Sequence, residues 1–140
     1  MHQNKVLKIL IADDDPDDRK LVALAFKEAE LNHTIDFVRN GDELMEHLKQ
    51  LPTNQLPDLL LLDLNMPGKD GRVALKEIKS DTRFQKLNII IFSTCISEED
   101  KTYTSGLGVR EYFTKPPGFY ELVDIIKNIS DSINYKKSYQ

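Results

Sequence analysis

Short apolar runs and amphipathic stretches alternate along the whole chain. KILIA at 8–12, TIDFV at 34–38, LLLL at 59–62, NIIIF at 88–92 and EYFT at 111–114 are brief and rich in β-branched, aromatic or leucine side chains, which predicts strands. Between them, apolar residues recur at helical spacing: Leu21, Leu24, Ala25 and Phe26; Leu44, Met45, Leu48 and Leu51; Val73, Leu75 and Ile78. After the fifth run comes the strongest stripe, Phe119, Leu122, Val123, Ile126, Ile129 and Ile133, whereas residues 98–105 predict a weak, polar helix. The third run is apolar at every position and is closed off by Pro67-Gly68. Such a run is expected of a strand buried on both faces, inside a parallel sheet covered by helices. Five alternating strand–helix units predict the α/β class, a doubly wound parallel sheet with right-handed crossovers.

With 140 residues the chain suits one domain, residues 1–140, with a core over about 7–133. YKKSYQ at 135–140 is all that follows the last helix, so no output domain is expected after it. Acids outnumber bases 23 to 19, a formal charge of −4, and Lys136-Lys137 is the only basic cluster. That balance argues against nucleic acid or an anionic membrane as a partner. Cys95 is the single cysteine, which excludes an internal disulfide and fits a reducing compartment. Residues 1–12 lack a signal-peptide pattern, and no segment nears the roughly 20 apolar residues of a membrane span. A cytoplasmic protein is expected. His2, His33 and His47 are scattered without zinc-site spacing and read as surface residues.

In a parallel sheet every strand points the same way, so residues just past the strands share one edge. There the chain places Asp13-Asp14-Asp15-Pro16, Asp63, Ser93-Thr94 and Lys115-Pro116. Asp15 before Pro16 suits a helix N-cap. Taken singly, Asp13 and Asp14 could be a solvated helix entry, Ser93 the opening of a loop, and Lys115 a surface lysine. Converging on one edge, they make a different kind of site. Clustered carboxylates repel unless a cation neutralises them, and Mg²⁺ takes one or two carboxylates plus a phosphate oxygen. Asp63 would then be a carboxylate nucleophile receiving phosphate, with Lys115 and Ser93 holding the remaining oxygens.

This pattern resembles the receiver domain of bacterial two-component response regulators across nearly the whole chain. The resemblance rests on Asp13-Asp14, on DLNMPGKDG from Asp63, on Ser93, and on Tyr112 three residues before Lys115-Pro116. DDDPDD at 13–18 and VRNGDELMEHL at 38–48 look more like the stand-alone regulators that partner phytochrome-type sensor kinases. The resemblance implies a (βα)5 flavodoxin-like, CheY-like fold with sheet order 2-1-3-4-5. It also implies phosphorelay signalling: Asp63 accepts a phosphoryl group from a sensor histidine kinase, and the change of conformation alters partner binding. Mg²⁺ would be held by Asp14, Asp63 and the backbone carbonyl of Asn65, with Asp13 acting through a water. Lys115 and Ser93 would contact the phosphate, Ser93 and Tyr112 would form the switch, and a cis peptide would join Lys115 to Pro116. Further partners implied are a downstream protein or phosphotransfer protein, and a second copy through the face of the fourth helix, fifth strand and fifth helix.

The resemblance further implies a signalling protein that catalyses only its own phosphorylation and dephosphorylation, not an enzyme. Two features depart from the pattern: Pro117-Gly118 after Lys115-Pro116, and Cys95 two residues past Ser93. The readout face is expected to be the fourth helix, fifth strand and fifth helix, and residues 97–108, polar and interrupted by glycine, are expected to be a mobile element with few apolar anchors. A haloacid dehalogenase-like phosphohydrolase is the main alternative, but it needs a second Asp two residues after the nucleophile, where this chain has Asn65. A flavodoxin-like cofactor binder would want a phosphate cradle where Asp13-Asp14-Asp15 stands. A degenerate receiver acting as a binding module is the remaining reading.

Overall fold

The computed structural model describes residues 6–138. Five parallel strands, β1 (Lys8–Ala12), β2 (Thr34–Val38), β3 (Leu59–Leu62), β4 (Ile89–Ser93) and β5 (Glu111–Thr114), form one sheet in the order β2-β1-β3-β4-β5. The helices are α1 (Pro16–Glu28), α2 (Gly41–Gln50), α3 (Gly71–Lys79), α4 (Glu98–Gly106) and α5 (Phe119–Ser138). Class and strand order are those expected from the sequence. Among the described residues no helix is long and apolar enough to cross a membrane.

Alternate residues of the central strands feed two cores, because successive side chains leave a strand on opposite faces. Leu10, Leu60, Leu62, Ile89 and Ile91 meet Leu44, Met45, Leu48, Ala74, Leu75 and Ile78 of α2 and α3. On the other face Ile9, Ile11, Leu59, Leu61, Ile90 and Phe92 meet Val22, Ala25 and Phe26 of α1 and the Leu122 to Ile133 stripe of α5. β3 is buried at all its positions, so its direction and ends are fixed by both layers.

Helix α4 is the exception. Its buried residues are Asp100 and Thr104, both polar, and its one large apolar side chain, Tyr103, is 40% exposed. A capping box closes its start: Ser97 accepts from the Asp100 amide, and the Asp100 carboxylate accepts from the Ser97 amide. Polar contacts therefore hold α4, whereas packing holds the other helices.

Several sequence expectations are corrected in detail. Leu21 and Leu24 are 44% and 45% exposed, because α1 turns Val22, Ala25 and Phe26 toward α5 instead. Val73 is likewise exposed, and α3 buries Gly71, Ala74, Leu75 and Ile78. Strand β4 starts one residue later than expected and takes in Ser93, since Asn88 is used at the turn, donating to the Asp58 carbonyl. Residue 2 lies outside the described residues, as do the side chains of Lys136 and Lys137.

His33 is not a plain surface residue. Half-buried, it accepts the Leu7 amide at Nδ1 (3.0 Å), and its Nε2 meets Ser130 Oγ at 2.8 Å. Burial pushes its pKa below the ordinary histidine value of 6.5, and the weak pull of Asp58 does not offset this. A ring that accepts the Leu7 amide must be neutral at that nitrogen, so folded protein resists protonation. The unfolded chain then binds the proton first, and stability is present above about pH 6.5 and lost as pH falls below it. Thermal melts of His33→Gln are expected to lose this slope between pH 7.5 and 5, at some cost in stability at pH 7.5. An unchanged slope would place the acid sensitivity elsewhere.

Candidate functional site

Backbone hydrogen bonds from the sheet extend one residue past three strands. Asp13 donates its amide to Val38 O (3.0 Å), Asp63 to Ala12 O (3.0 Å) and Lys115 to Ser93 O (2.9 Å). The ladder thus fixes the backbone of each residue whose side chain meets the others at this edge. Ser93 belongs to β4 itself and pairs with Thr114.

Lys115 is the centre of the cluster. Its Nζ lies 2.7 Å from Asp13 Oδ2, 2.8 Å from Asp63 Oδ2 and 2.9 Å from Asp18 Oδ2. The side chains of Lys115, Asp13 and Asp63 are 11%, 3% and 7% exposed. Burial alone would lower the lysine's pKa, but the hydrogen bonds to Asp13, Asp63 and Asp18 outweigh it and hold the ammonium above its ordinary range. Burial pushes the Asp13 carboxyl up, and the bonds from Lys115 and the Asp15 amide offset this only in part. The other oxygens are also engaged: Asp13 Oδ1 accepts the Asp15 amide, and Asp63 Oδ1 accepts both the Ser93 hydroxyl (2.9 Å) and the Asn65 amide (2.9 Å). Asn65 Nδ2 donates in turn to Ser93 Oγ at 3.1 Å.

Asp14 is exposed beside this cluster, and one oxygen each from Asp13, Asp14 and Asp63 lies within 4.8 Å of the others. Three hard carboxylate donors so close fit a divalent cation that favours oxygen, and do not suit a soft thiolate-seeking metal. Asp15 caps α1 by accepting the Asp17 amide, as its place before Pro16 predicts.

The backbone around Asp63 is tightly packed. Gly71 opens α3 against it, and a Cβ there would run into the Asp63 carbonyl oxygen and lie 2.7 Å from Leu64 Cα. Gly68, with φ of 69°, supplies the left-handed turn between Met66-Pro67 and the Asp70 cap.

One expectation is revised and two residues are added. Among the described residues no peptide bond is cis, so the one joining Lys115 to Pro116 is trans. The Xaa-Pro bond favours trans by about 0.5–1 kcal/mol, and the Lys115 amide bond to Ser93 already brings Nζ to the acids. Tyr112 is half-buried on β5, with its hydroxyl donating to Lys101 O of α4 (2.9 Å) and in contact with Ser105 Oγ. Asp18 was missed as a partner of Lys115. Its place one turn into α1 after the Asp15 cap could have revealed it, because that turn overhangs the strand edge. Arg72 was missed too. It donates from Nε and Nη2 to Asp100 (2.6 and 2.8 Å), from Nη1 to Leu64 O (3.2 Å) and from Nη2 to Asn65 Oδ1 (3.5 Å). No sequence spacing signalled that long-range pair.

The chain matches the response regulator receiver domain family over residues 9–127. It is 32% identical over 124 residues to the response regulator Rcp1 of Synechocystis sp., covering 86% of this chain and 84% of that protein. Among solved structures, the phosphorylated cyanobacterial phytochrome response regulator RcpA superposes with a TM-score of 0.81 at 37% identity, over 91% of this chain and 93% of that one. The Mn²⁺-bound form of Rcp1 superposes with a TM-score of 0.76 at 30% identity, over 89% and 92% of the two chains. With most of its length matched, and its carboxylates, hydroxyl and lysine gathered at one sheet edge, the chain belongs to the receiver domains of response regulators and works in phosphorelay signal transduction.

Proposed function

We propose that Asp63 is the phosphoacceptor and that its donor is a phosphohistidine on a sensor histidine kinase. The observation that carries this reading is the arrangement around Asp63: two hydrogen-bond donors and one ammonium orient a carboxylate at the rigid end of a fully buried strand. In the transfer, the phosphorus–nitrogen bond breaks as a bond from phosphorus to an Asp63 oxygen forms, and the histidine, its ring protonated on the nitrogen that does not carry phosphorus, keeps the electron pair of the broken bond and leaves as neutral imidazole. Lys115, already between Asp13 and Asp63, holds positive charge where the phosphoryl oxygens arrive. Ser93 donates its hydroxyl to Asp63 and can turn that proton toward a phosphate oxygen. Asp14, Asp63 and the Asn65 carbonyl, with Asp13 through a water, are the residues that would hold Mg²⁺, which when bound supplies charge neutralisation between carboxylate and phosphoryl group.

The likeness to a phytochrome response regulator supports a phytochrome-class kinase as the donor. Ser93 and Tyr112 act as the switch, and a second copy docks through α4, β5 and α5, where Tyr103 and Tyr120 are exposed. Sedimentation velocity with and without a phosphodonor tests that docking, and only monomer under both conditions would sink it. The site turns over no other phosphoester, since Asn65 stands where a hydrolase needs its acid. The protein acts in the cytoplasm beside the kinase domain. Intact mass after incubation with acetyl phosphate and Mg²⁺ tests the whole reading. One labile phosphoryl group per chain is expected, whereas no adduct and no phosphate release would leave only the degenerate, binding-module reading.

A further inference from the structure

A single chain of hydrogen bonds runs from Asp63 to the start of α4 through side chains alone. Ser93 Oγ donates to Asp63, Asn65 Nδ2 donates to Ser93, Arg72 Nη2 donates to Asn65 Oδ1, and the same guanidinium grips Asp100. Arg72 is tied to the site a second time through Leu64 O, a carbonyl that also accepts the Gly71 amide. At the far end, Asp100 is 8% exposed and belongs to the capping box of α4. We propose that Arg72 is a positioning residue that carries the state of Asp63 to α4 through Asn65 and Ser93, alongside the Ser93–Tyr112 switch.

The chemistry gives the link two arrangements. The Ser93 hydroxyl has one proton, now given to Asp63, and accepts from Asn65 with a lone pair. Once a phosphoryl group stands on Asp63, the hydroxyl reorients toward it. The Asn65 amide then loses or follows its acceptor, and its Oδ1 shifts against Arg72. At 3.5 Å the bond from Arg72 to Asn65 is the longest in the chain, and so the one most readily made or broken. Whatever moves the guanidinium moves Asp100 with it, because the fork grips both carboxylate oxygens. No buried apolar side chain of α4 resists that movement. The Tyr103 hydroxyl, donating to Arg72 O at 3.3 Å, adds a second tether on the same side. Arg72 thus ties the element that would respond to the loop that senses phosphate, which is the physical content of coupling.

The proposal rests on Asp63 being the phosphoacceptor, so the test reads both. Hydrogen exchange of residues 97–106 is followed by mass spectrometry with and without acetyl phosphate and Mg²⁺, and the adduct is quantified in the same samples. The proteins are the wild type, Arg72→Gln, Arg72→Lys, and the exchanged pair Arg72→Asp with Asp100→Arg. In the wild type, phosphorylation is expected to change exchange across α4. In Arg72→Gln and Arg72→Lys that change is expected to shrink about fivefold or more, the low end of typical coupling between sites. The exchanged pair restores the bridge to α4, but a carboxylate at position 72 has no proton to give Leu64 O or Asn65 Oδ1, so α4 is expected to regain protection without regaining its response. A full response in Arg72→Gln with adduct present, or its recovery in the exchanged pair, overturns the proposal and leaves the bridge a strut. No adduct in the wild type overturns the phosphoacceptor reading and this one with it.

Discussion

Asp63→Asn is expected to abolish the phosphoryl adduct outright while leaving the fold standing. An amide oxygen is no nucleophile toward phosphorus at neutral pH, and among the described residues Asp63 alone has a carboxylate with one oxygen held by Ser93 and the Asn65 amide and the other by Lys115. The fold survives because the substitution is nearly isosteric and β3 is anchored by four buried leucines, not by the polar residue that follows them. Two electrostatic effects oppose each other. The new NH2 faces the Lys115 ammonium at the loss of one hydrogen bond, or the Ser93 and Asn65 donors at the loss of two, and the less costly orientation leaves one donor–donor conflict of about 1–3 kcal/mol. Removing a negative charge beside Asp13 relieves like-charge repulsion, which offsets part of that loss. A net change within about 1–2 kcal/mol follows, read as a small shift of the urea midpoint. Intact mass with acetyl phosphate gives the other half of the result. An adduct of wild-type size in Asp63→Asn would move the acceptor to Asp13 or Asp14 and sink the assignment.

The sheet was legible because its central strands are nearly uniform apolar runs, and in a buried parallel sheet the run itself marks the strand. Helix existence was legible for the same reason, but helix rotation was not. Leu21, Leu24 and Val73 satisfy helical spacing as well as the residues that are buried, and only packing against α5 and the sheet decides between overlapping stripes. At the site, Asp13, Asp14, Asp63, Ser93 and Lys115 were found because parallel topology brings strand ends together whatever the intervening sequence. Arg72 and Asp100 escaped because each sits inside a helix start, 28 residues apart, where no rule of spacing pairs them. His33 escaped because a lone half-polar neighbourhood hides the fact that its ring nitrogen serves the Leu7 amide. What the sequence withheld was side-chain direction within elements it had already revealed.

Lys115→Ala is expected to destabilise the metal-free protein by about 3 kcal/mol at pH 7, the scale of breaking a buried ion pair by removing one partner. Three carboxylates, Asp13, Asp18 and Asp63, lose the ammonium that each meets within 2.9 Å, and Asp13 and Asp63 remain almost wholly buried. The wild-type contribution carries the sign of a raised lysine pKa. It is fully present below the ordinary lysine value near 10.4 and disappears only as pH rises through the higher folded value. It therefore holds through the whole neutral range, and the variant's deficit at pH 7 reflects it in full. Two treatments should repair the variant for separate physical reasons. Lowering the pH toward the carboxylate range lets protons replace the ammonium, so the gap in urea stability narrows as the acids titrate. Adding Mg²⁺ at pH 7 narrows it too, and more strongly than it stabilises the wild type, because the cation no longer meets a fixed positive charge between Asp13 and Asp63. The same variant is expected to take up phosphate more slowly, since the ammonium that sits 2.8 Å from Asp63 is no longer there to meet the arriving oxygens. A deficit unaltered by both acid and Mg²⁺ would show that Lys115 stabilises the fold through the packing of its methylene stem, and would remove the reason for placing its charge at the centre of the site.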